Sequence, residues 1–141
     1  MGAVLVHIDL DGERVHASSL TALAAGRAIA SSWGATLYAA VVVHASAERR
    51  APDSTAHVMT TQPVPGVDRL QRELGRAGAD KVLVGVTDAP VSTLWASVGG
   101  AWLGILDHLR PRLVMFGADA PSAAELAPRT GARLGARLLQ R

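Results

Sequence analysis

The sequence predicts an α/β domain, a doubly wound parallel sheet of about four strands with helices on both faces. Short apolar runs rich in β-branched residues alternate along the chain with longer segments whose apolar residues recur at helical spacing. Such alternation produces βαβ units, whose right-handed crossovers make the strands parallel and cover the sheet on both faces. A length of 141 residues suits one such domain, covering residues 1–141, with a core of its own.

Four apolar runs are predicted to be strands buried in the sheet. Each is bounded by polar, glycine or proline residues. The four runs are residues 3–10, 35–44, 80–85 and 113–117. The first strand is expected to continue into a turn at Asp11-Gly12. The stretch 45–66 contains prolines, serines and threonines without a sustained period, which predicts a long mobile surface loop.

Four segments have the spacing of an apolar helical face and are predicted to be helices. The four segments are residues 18–34, 68–75, 92–109 and 122–141. The first has Ser18 or Ser19 as its N-cap and Gly34 as its terminator. The second opens at Asp68 in a capping pattern. The third is unusually apolar and ends near Leu109, because a proline follows.

The last predicted helix begins with a capping box, in which Ser122 and Glu125 satisfy each other's exposed backbone amides. Its apolar face includes Leu138 and Leu139, so it is expected to run to the end of the chain. Pro128 is compatible with it only in the early turns or at a kink.

Composition excludes several classes of protein. The chain has no cysteine, which excludes a disulfide scaffold, a zinc ribbon and a thiol enzyme. The net charge of +2 is small, and no aromatic residues interleave with the arginines near the C-terminus, so nucleic acid is not an expected partner. Serines and prolines interrupt the long uncharged stretches, and no basic region precedes the first apolar run. We therefore expect a cytoplasmic protein without a membrane span.

Ligands of doubly wound sheets bind beyond the carboxyl ends of the strands, where the strand order reverses. The segments expected at that switch point are residues 9–12 and 117–119. Asp9, Asp11 and Asp119 could bind a hard cation there, although acidic turn residues explain them more simply. A nucleotide-binding interpretation of the same edge would use Asp9, Gly117, Asp119 and Ser122.

Motifs for catalysis and phosphate binding are not found in the sequence. No glycine-rich phosphate loop, P-loop lysine or nucleophile elbow is present, and the histidines lack metal-ligand spacing. His7 and His44 are expected to be neutral core residues, and Trp95 and Trp102 to fill the core or an interface. We therefore expect no catalytic residues, no metal site and no enzymatic activity.

Three segments resemble the N-terminal domain of the electron transfer flavoprotein alpha subunit. They are Gly-Ala-Asp-Lys-Val-Leu-Val at residues 78–84, Pro-Arg-Leu-Val-Met-Phe-Gly-Ala at 111–118, and Glu-Leu-Ala-Pro-Arg at 125–129. The order and spacing agree along nearly the whole chain, with 45–66 as an addition. The family's usual Thr-Ser and later Arg are replaced by Asp119, Ala120 and Ala124. This departure puts a flavin-proximal role of that turn in doubt.

The resemblance implies a Rossmann-like fold of the adenine nucleotide alpha hydrolase type and a scaffold role in electron transfer. FAD would be held mainly by a C-terminal domain that this chain lacks, so FAD binding by the chain alone is not expected. The implied partners are the beta subunit or a separate FAD-binding domain, and open sheet edges also suggest a homo-oligomer. The alternative is a small AMP- or ATP-binding module of the universal stress protein type, because sheets of this kind include both families.

Overall fold

The computed structural model describes residues 2–44, 66–87 and 94–140. Its elements are, in chain order, β1 (Ala3–His7), β2 (Leu10–Asp11), β3 (Arg14–Val15), α1 (Ala17–Trp33), β4 (Thr36–His44), α2 (Val67–Arg76), β5 (Lys81–Thr87), α3 (Leu94–Leu109), β6 (Leu113–Met115) and α4 (Ala123–Leu134). Four strands form a parallel sheet in the order β5-β4-β1-β6, whereas β2 and β3 form a small antiparallel hairpin. The predicted fold class is confirmed.

The sheet separates two apolar clusters, because alternate residues of a strand point to opposite faces. One cluster combines β1 and β4 residues with α1 and α2, and its members include Val4, Val6, Leu23, Leu37 and Leu74. The other combines residues of the same two strands with α3 and α4, and its members include Leu5, Ala40, Trp102, Leu106 and Leu126. Helices therefore cover both faces, as the apolar runs predict.

The strand order reverses at β1, which defines the switch point. From β1 the chain moves outward through β4 to β5, and α3 then carries it back to β6 on the other side of β1. The carboxyl ends of β1 and β6 are thus adjacent, with Val6 of β1 paired to Met115 of β6. Ligands of doubly wound sheets bind at this position.

The first strand is shorter than predicted. β1 ends at His7, Ile8 and Asp9 belong to no strand, and Leu10 begins the β2–β3 hairpin. The cause is Asp9, whose backbone N–H donates to Ser19 Oγ at 3.0 Å and whose carbonyl accepts from the His16 N–H at 2.9 Å. Because Ser19 in α1 and the N-cap residue His16 satisfy the N–H and the carbonyl of Asp9, the chain leaves the sheet there.

The N-cap of α1 is His16, so the prediction of Ser18 or Ser19 was wrong. The backbone of His16 is extended, and its Nδ1 accepts the Ser18 N–H at 3.2 Å, as a capping oxygen would. Ser19 lies inside the helix and is fully buried. Gly34 ends the helix as predicted.

The last helix ends at Gly135 and does not run to the end of the chain. Gly135 adopts a left-handed conformation (φ 60°), which glycine tolerates best, and the following Ala136 N–H bonds back to the Gly131 carbonyl at 2.9 Å. Leu138 and Leu139 are consequently outside the helix and exposed, at 45% and 85%. Pro128 lies in the second turn of α4.

The remaining elements agree closely with their predicted ranges. β4, α2, β5 and the end of α3 fall within one or two residues of expectation. Most of the loop predicted at 45–66 and the predicted start of α3 at Ser92 or Thr93 lie outside the described residues. None of the helices in the described ranges is both long and apolar enough to cross a membrane.

Candidate functional site at the switch point

Asp9 links the end of β1 to the beginning of α4. Its Oδ2 accepts the Ser122 N–H at 2.9 Å, and its Oδ1 accepts a short hydrogen bond from the Ser122 hydroxyl. With the two main-chain bonds to Ser19 and His16, the described residues make four hydrogen bonds with Asp9. A carboxylate at a helix N-terminus is also favoured by the positive end of the helix dipole.

The start of α4 differs from the predicted capping box. The backbone of Ser122 is already helical (φ −79°, ψ −19°), whereas an N-cap serine is normally extended, and its side chain makes no cap hydrogen bond. Glu125, the expected reciprocal partner, accepts the Trp95 N–H of α3 at 3.1 Å instead. The two residues therefore engage different partners, and Asp9 supplies the acceptor at this helix end.

Gly117 brings β6 into close contact with α1. A Cβ atom at this position would lie 2.7 Å from the carbonyl carbon of Ser18 and 2.9 Å from its oxygen, closer than atoms approach in proteins. The contact involves main chain, which cannot move aside as a flexible side chain can. Glycine is therefore required for α1 to approach the carboxyl end of β6.

The structure brings together three of the four residues of the nucleotide-binding interpretation. Asp9 and Ser122 are hydrogen-bonded, and Gly117 lies at the same edge, where its carbonyl accepts the Ala120 N–H at 3.1 Å. Asp119 is exposed in the intervening turn. Asp11 is exposed in the β2–β3 hairpin, and the described side chains include no cluster of three or more His, Asp or Glu that could hold a metal ion.

His7 is a buried histidine on the α3 side of β1, next to this edge. Its ring lies edge-on to Trp102 at 5.0 Å and stacks on Phe116 at 5.4 Å, measured between centroids. Only 4% of it is exposed, and Nδ1 has no hydrogen-bond partner among the described residues. Burial lowers the pKa of His7 to about 4, although the nearby Asp9 charge acts in the opposite direction. The imidazole is therefore neutral at pH 7, as expected for a core histidine.

The two tryptophans of α3 have structural contacts. Trp102 is fully buried, and its Nε1 donates to Thr130 Oγ1 of α4 at 2.8 Å. Trp95 is half-buried, with the Arg129 guanidinium 5.0 Å from its ring. Core and interhelical packing thus accounts for both.

Among the described residues, charge at the switch point is predominantly negative. Asp9, Asp119 and Glu125 lie at or near the N-terminus of α4, and the nearby base Arg129 is 3.6 Å from Glu125. In the described part of the chain, no Arg or Lys forms an ion pair with Asp9. A phosphate approaching this helix would meet carboxylates.

A shallow depression elsewhere is a weaker candidate. It lies on α2 and is lined by Asp68, Gln71 and Arg72, all of which are exposed. Widely open surfaces of this kind lack the apolar walls that bind most small ligands. The switch point has the better combination of buried and polar groups.

Sequence reasoning missed Ser19 and the role of Glu125. Ser19 resembles an N-cap in sequence, yet it is buried within α1 and accepts the Asp9 N–H. Both interactions join residues distant in sequence, 10 and 30 positions apart. No local spacing indicates such partners.

Comparison with solved structures identifies the type of fold. A universal stress protein in complex with cAMP has a TM-score of 0.54 and 19% identity, over 99% of this chain and 96% of that chain. A universal stress protein family member from Burkholderia pseudomallei has a TM-score of 0.53 and 17% identity, over 92% of this chain and 89% of that chain. The fold is similar to that of universal stress proteins. No family model and no curated protein matches the sequence.

The resemblance to the electron transfer flavoprotein alpha subunit was therefore wrong. Two solved structures that share this fold over nearly the whole chain are universal stress proteins, and neither gives an indication of a flavoprotein or of electron transfer. The scaffold role in electron transfer and the association with FAD are corrected accordingly. The expectations of a beta subunit, of a separate FAD-binding domain and of a homo-oligomer stay predictions.

Proposed function

We propose that this chain is a small adenine nucleotide-binding domain that acts by binding and not by catalysis. The observation that carries the proposal is the convergence of Asp9, Gly117 and Ser122 at the carboxyl ends of β1 and β6. This is the position at which doubly wound sheets bind ligands. The similar fold of a universal stress protein in complex with cAMP supports the choice of ligand class.

The groups at this edge suit a ligand with both donors and acceptors. The Asp9 carboxylate can accept from ribose hydroxyls or an amino group, as acidic residues do in other nucleotide-binding sheets. The Ser122 hydroxyl can donate or accept, and Gly117 leaves the strand end without a side chain. We also propose a cytoplasmic location, because a domain without cysteine needs no oxidising compartment to form disulfides.

The test is an amide NMR titration of the intact chain with cAMP, AMP and ATP, with FAD as the comparison ligand. We expect saturable shifts of the Asp9, Gly117 and Ser122 amides with at least one adenine nucleotide and none with FAD. Ser122→Ala removes the hydroxyl that is proposed to hydrogen-bond the ligand. The variant should therefore bind the ligand roughly five-fold more weakly, the equivalent of about 1 kcal/mol.

The matched control is Arg72→Ala, which alters the depression on α2 and should leave the affinity unchanged. Two outcomes would overturn the proposal. One is a set of amide shifts confined to α2, and the other is the lack of saturable binding up to about 1 mM ligand, a limit near 4 kcal/mol of binding free energy.

A further inference from the structure

We propose that Asp9 determines the charge of the ligand that this site accepts, excluding a doubly charged phosphate from the N-terminus of α4. The inference rests on the proposed function and specifies its ligand class. The preferred ligand is an uncharged nucleoside or a singly charged cyclic nucleotide, and Asp9 is the specificity-determining residue.

Asp9 already occupies the hydrogen-bond donors that an anion would use. Helix N-termini bind phosphates through free main-chain N–H groups and adjacent hydroxyls. Here the Ser122 N–H and the Ser122 hydroxyl both donate to the Asp9 carboxylate. A ligand phosphate would have to displace a carboxylate that belongs to the protein.

Negative charge near the N-terminus of α4 also disfavours a phosphate. Asp9 has no Arg or Lys ion-pair partner in the described ranges, and the exposed carboxylate of Asp119 lies in the turn before α4. A monoester phosphate adds close to two negative charges at neutral pH. Like charges at short range in a partly buried site repel strongly, whereas a nucleoside adds no charge.

His7, two residues before Asp9, is a buried and neutral neighbour of this site. Its Nδ1 is a buried polar atom without a described partner, in a side chain that is only 4% exposed. Buried polar atoms of this kind are rare, and binding of a ligand or water commonly completes their hydrogen bonding. Because burial keeps the imidazole neutral, His7 supplies no positive charge to compensate Asp9 or an incoming phosphate.

The experiment compares adenosine, cAMP and AMP, which share the adenine base and differ in charge. Calorimetric titration of the wild-type chain should show adenosine and cAMP binding at least about ten-fold more tightly than AMP. Asp9→Asn removes the charge and keeps a similar shape. It should therefore raise the affinity for AMP relative to the affinity for adenosine by about ten-fold, a factor equivalent to about 1.4 kcal/mol. Asp11→Asn, which removes an exposed charge in the hairpin, should leave the ratio unchanged.

A second measurement tests the helix end without a nucleotide. Inorganic phosphate should not shift the Ser122 amide of the wild-type chain, but it should do so in Asp9→Ala, in which the two donors are released. Circular dichroism melting confirms that this variant is folded. If it is not, Asp9→Asn replaces it in the phosphate titration, because the Asn NH2 group cannot accept a hydrogen bond and so releases one of the two donors.

The outcomes separate this inference from the proposed function. Tighter binding of AMP than adenosine to the wild type, or an unchanged ratio in Asp9→Asn, overturns the inference and leaves nucleotide binding intact. Absence of all nucleoside and nucleotide binding refutes the proposed function. In that case a phosphate-induced shift of the Ser122 amide that occurs only in Asp9→Ala still supports the anion-excluding role of Asp9. If phosphate shifts this amide in neither the wild type nor Asp9→Ala, that role is refuted too.

Discussion

His7 makes the stability of this domain depend on pH in a predictable direction. Its pKa is about 4 in the folded chain, against an ordinary value of 6.5, because burial disfavours the imidazolium. Between these values the unfolded chain binds a proton that the folded chain does not, so acid favours unfolding. This contribution is absent above about pH 7 and grows as the pH falls through 6.5 towards 4.

The magnitude follows from the two pKa values. A difference of about 2.5 corresponds to roughly 3 kcal/mol once the pH is below both values, and to about 2 kcal/mol at pH 5. A loss of this size is a substantial part of the stability of a small domain.

The variant that tests this prediction is His7→Phe. Phenylalanine can pack between Trp102 and Phe116 and carries no proton to titrate. Urea unfolding at half-unit steps from pH 7.5 to 4.5 gives the free energy of unfolding of both proteins. The difference between the variant and the wild type should grow as the pH falls and reach about 2 kcal/mol at pH 5.

His108→Gln is the matched control, because it removes an exposed histidine from α3. Carboxylates that titrate in the same range are common to all three proteins and cancel in the comparison. A difference between His7→Phe and the wild type that stays constant with pH would refute the reasoning. So would an NMR titration in which the His7 ring protonates near pH 6.5 in the folded chain.

Two further predictions concern the packing around the site. Gly117→Ala should destabilise the fold by about 1–3 kcal/mol, because the added Cβ overlaps main chain of α1. The control Gly104→Ala, which has open space in α3, should leave the stability unchanged or raise it by up to about 1 kcal/mol. Equal urea midpoints for the two variants would contradict this. Thr130→Val leaves the buried Nε1 of Trp102 without its acceptor and should cost about 1–3 kcal/mol, against almost nothing for Thr21→Val on the exposed face of α1. Similar losses of unfolding free energy in both threonine variants would show that the buried Trp102–Thr130 hydrogen bond stabilises the fold no more than the exposed one does.

The alternation of apolar runs was sufficient to predict the sheet and its helices. A near-continuous apolar stretch such as residues 36–44 is typical of a parallel strand that is buried on both faces. The ends of elements were harder to predict, because distant residues compete there with local capping. Ser122 and Glu125 have the spacing of a capping box, yet Asp9, 113 positions away, and Trp95 engage them instead.

The misleading resemblance also has a structural explanation. In the Gly-Ala-Asp-Lys-Val segment, Asp80 accepts the Leu37 N–H at 2.8 Å and an Arg27 N–H at 2.9 Å, joining the start of β5 to β4 and α1. These hydrogen bonds lower the pKa of Asp80, the Leu37 amide having the larger effect. An aspartate before this strand thus serves the sheet itself. Such a motif indicates a shared architecture and carries no information about flavin.

The hydrogen bonds of Asp9 allow the site to open through one side chain. Its main chain is fixed by Ser19 and His16, whereas only the carboxylate contacts Ser122. Rotation of that side chain would therefore release the N-terminus of α4 without moving β1 or α1. The cost is the loss of two hydrogen bonds to a charged group, which at about 1.5–3 kcal/mol each must be recovered from contacts with the ligand. Ligands that leave the Asp9–Ser122 contact in place avoid this cost, which is the energetic basis for expecting nucleosides to bind better than nucleoside monophosphates.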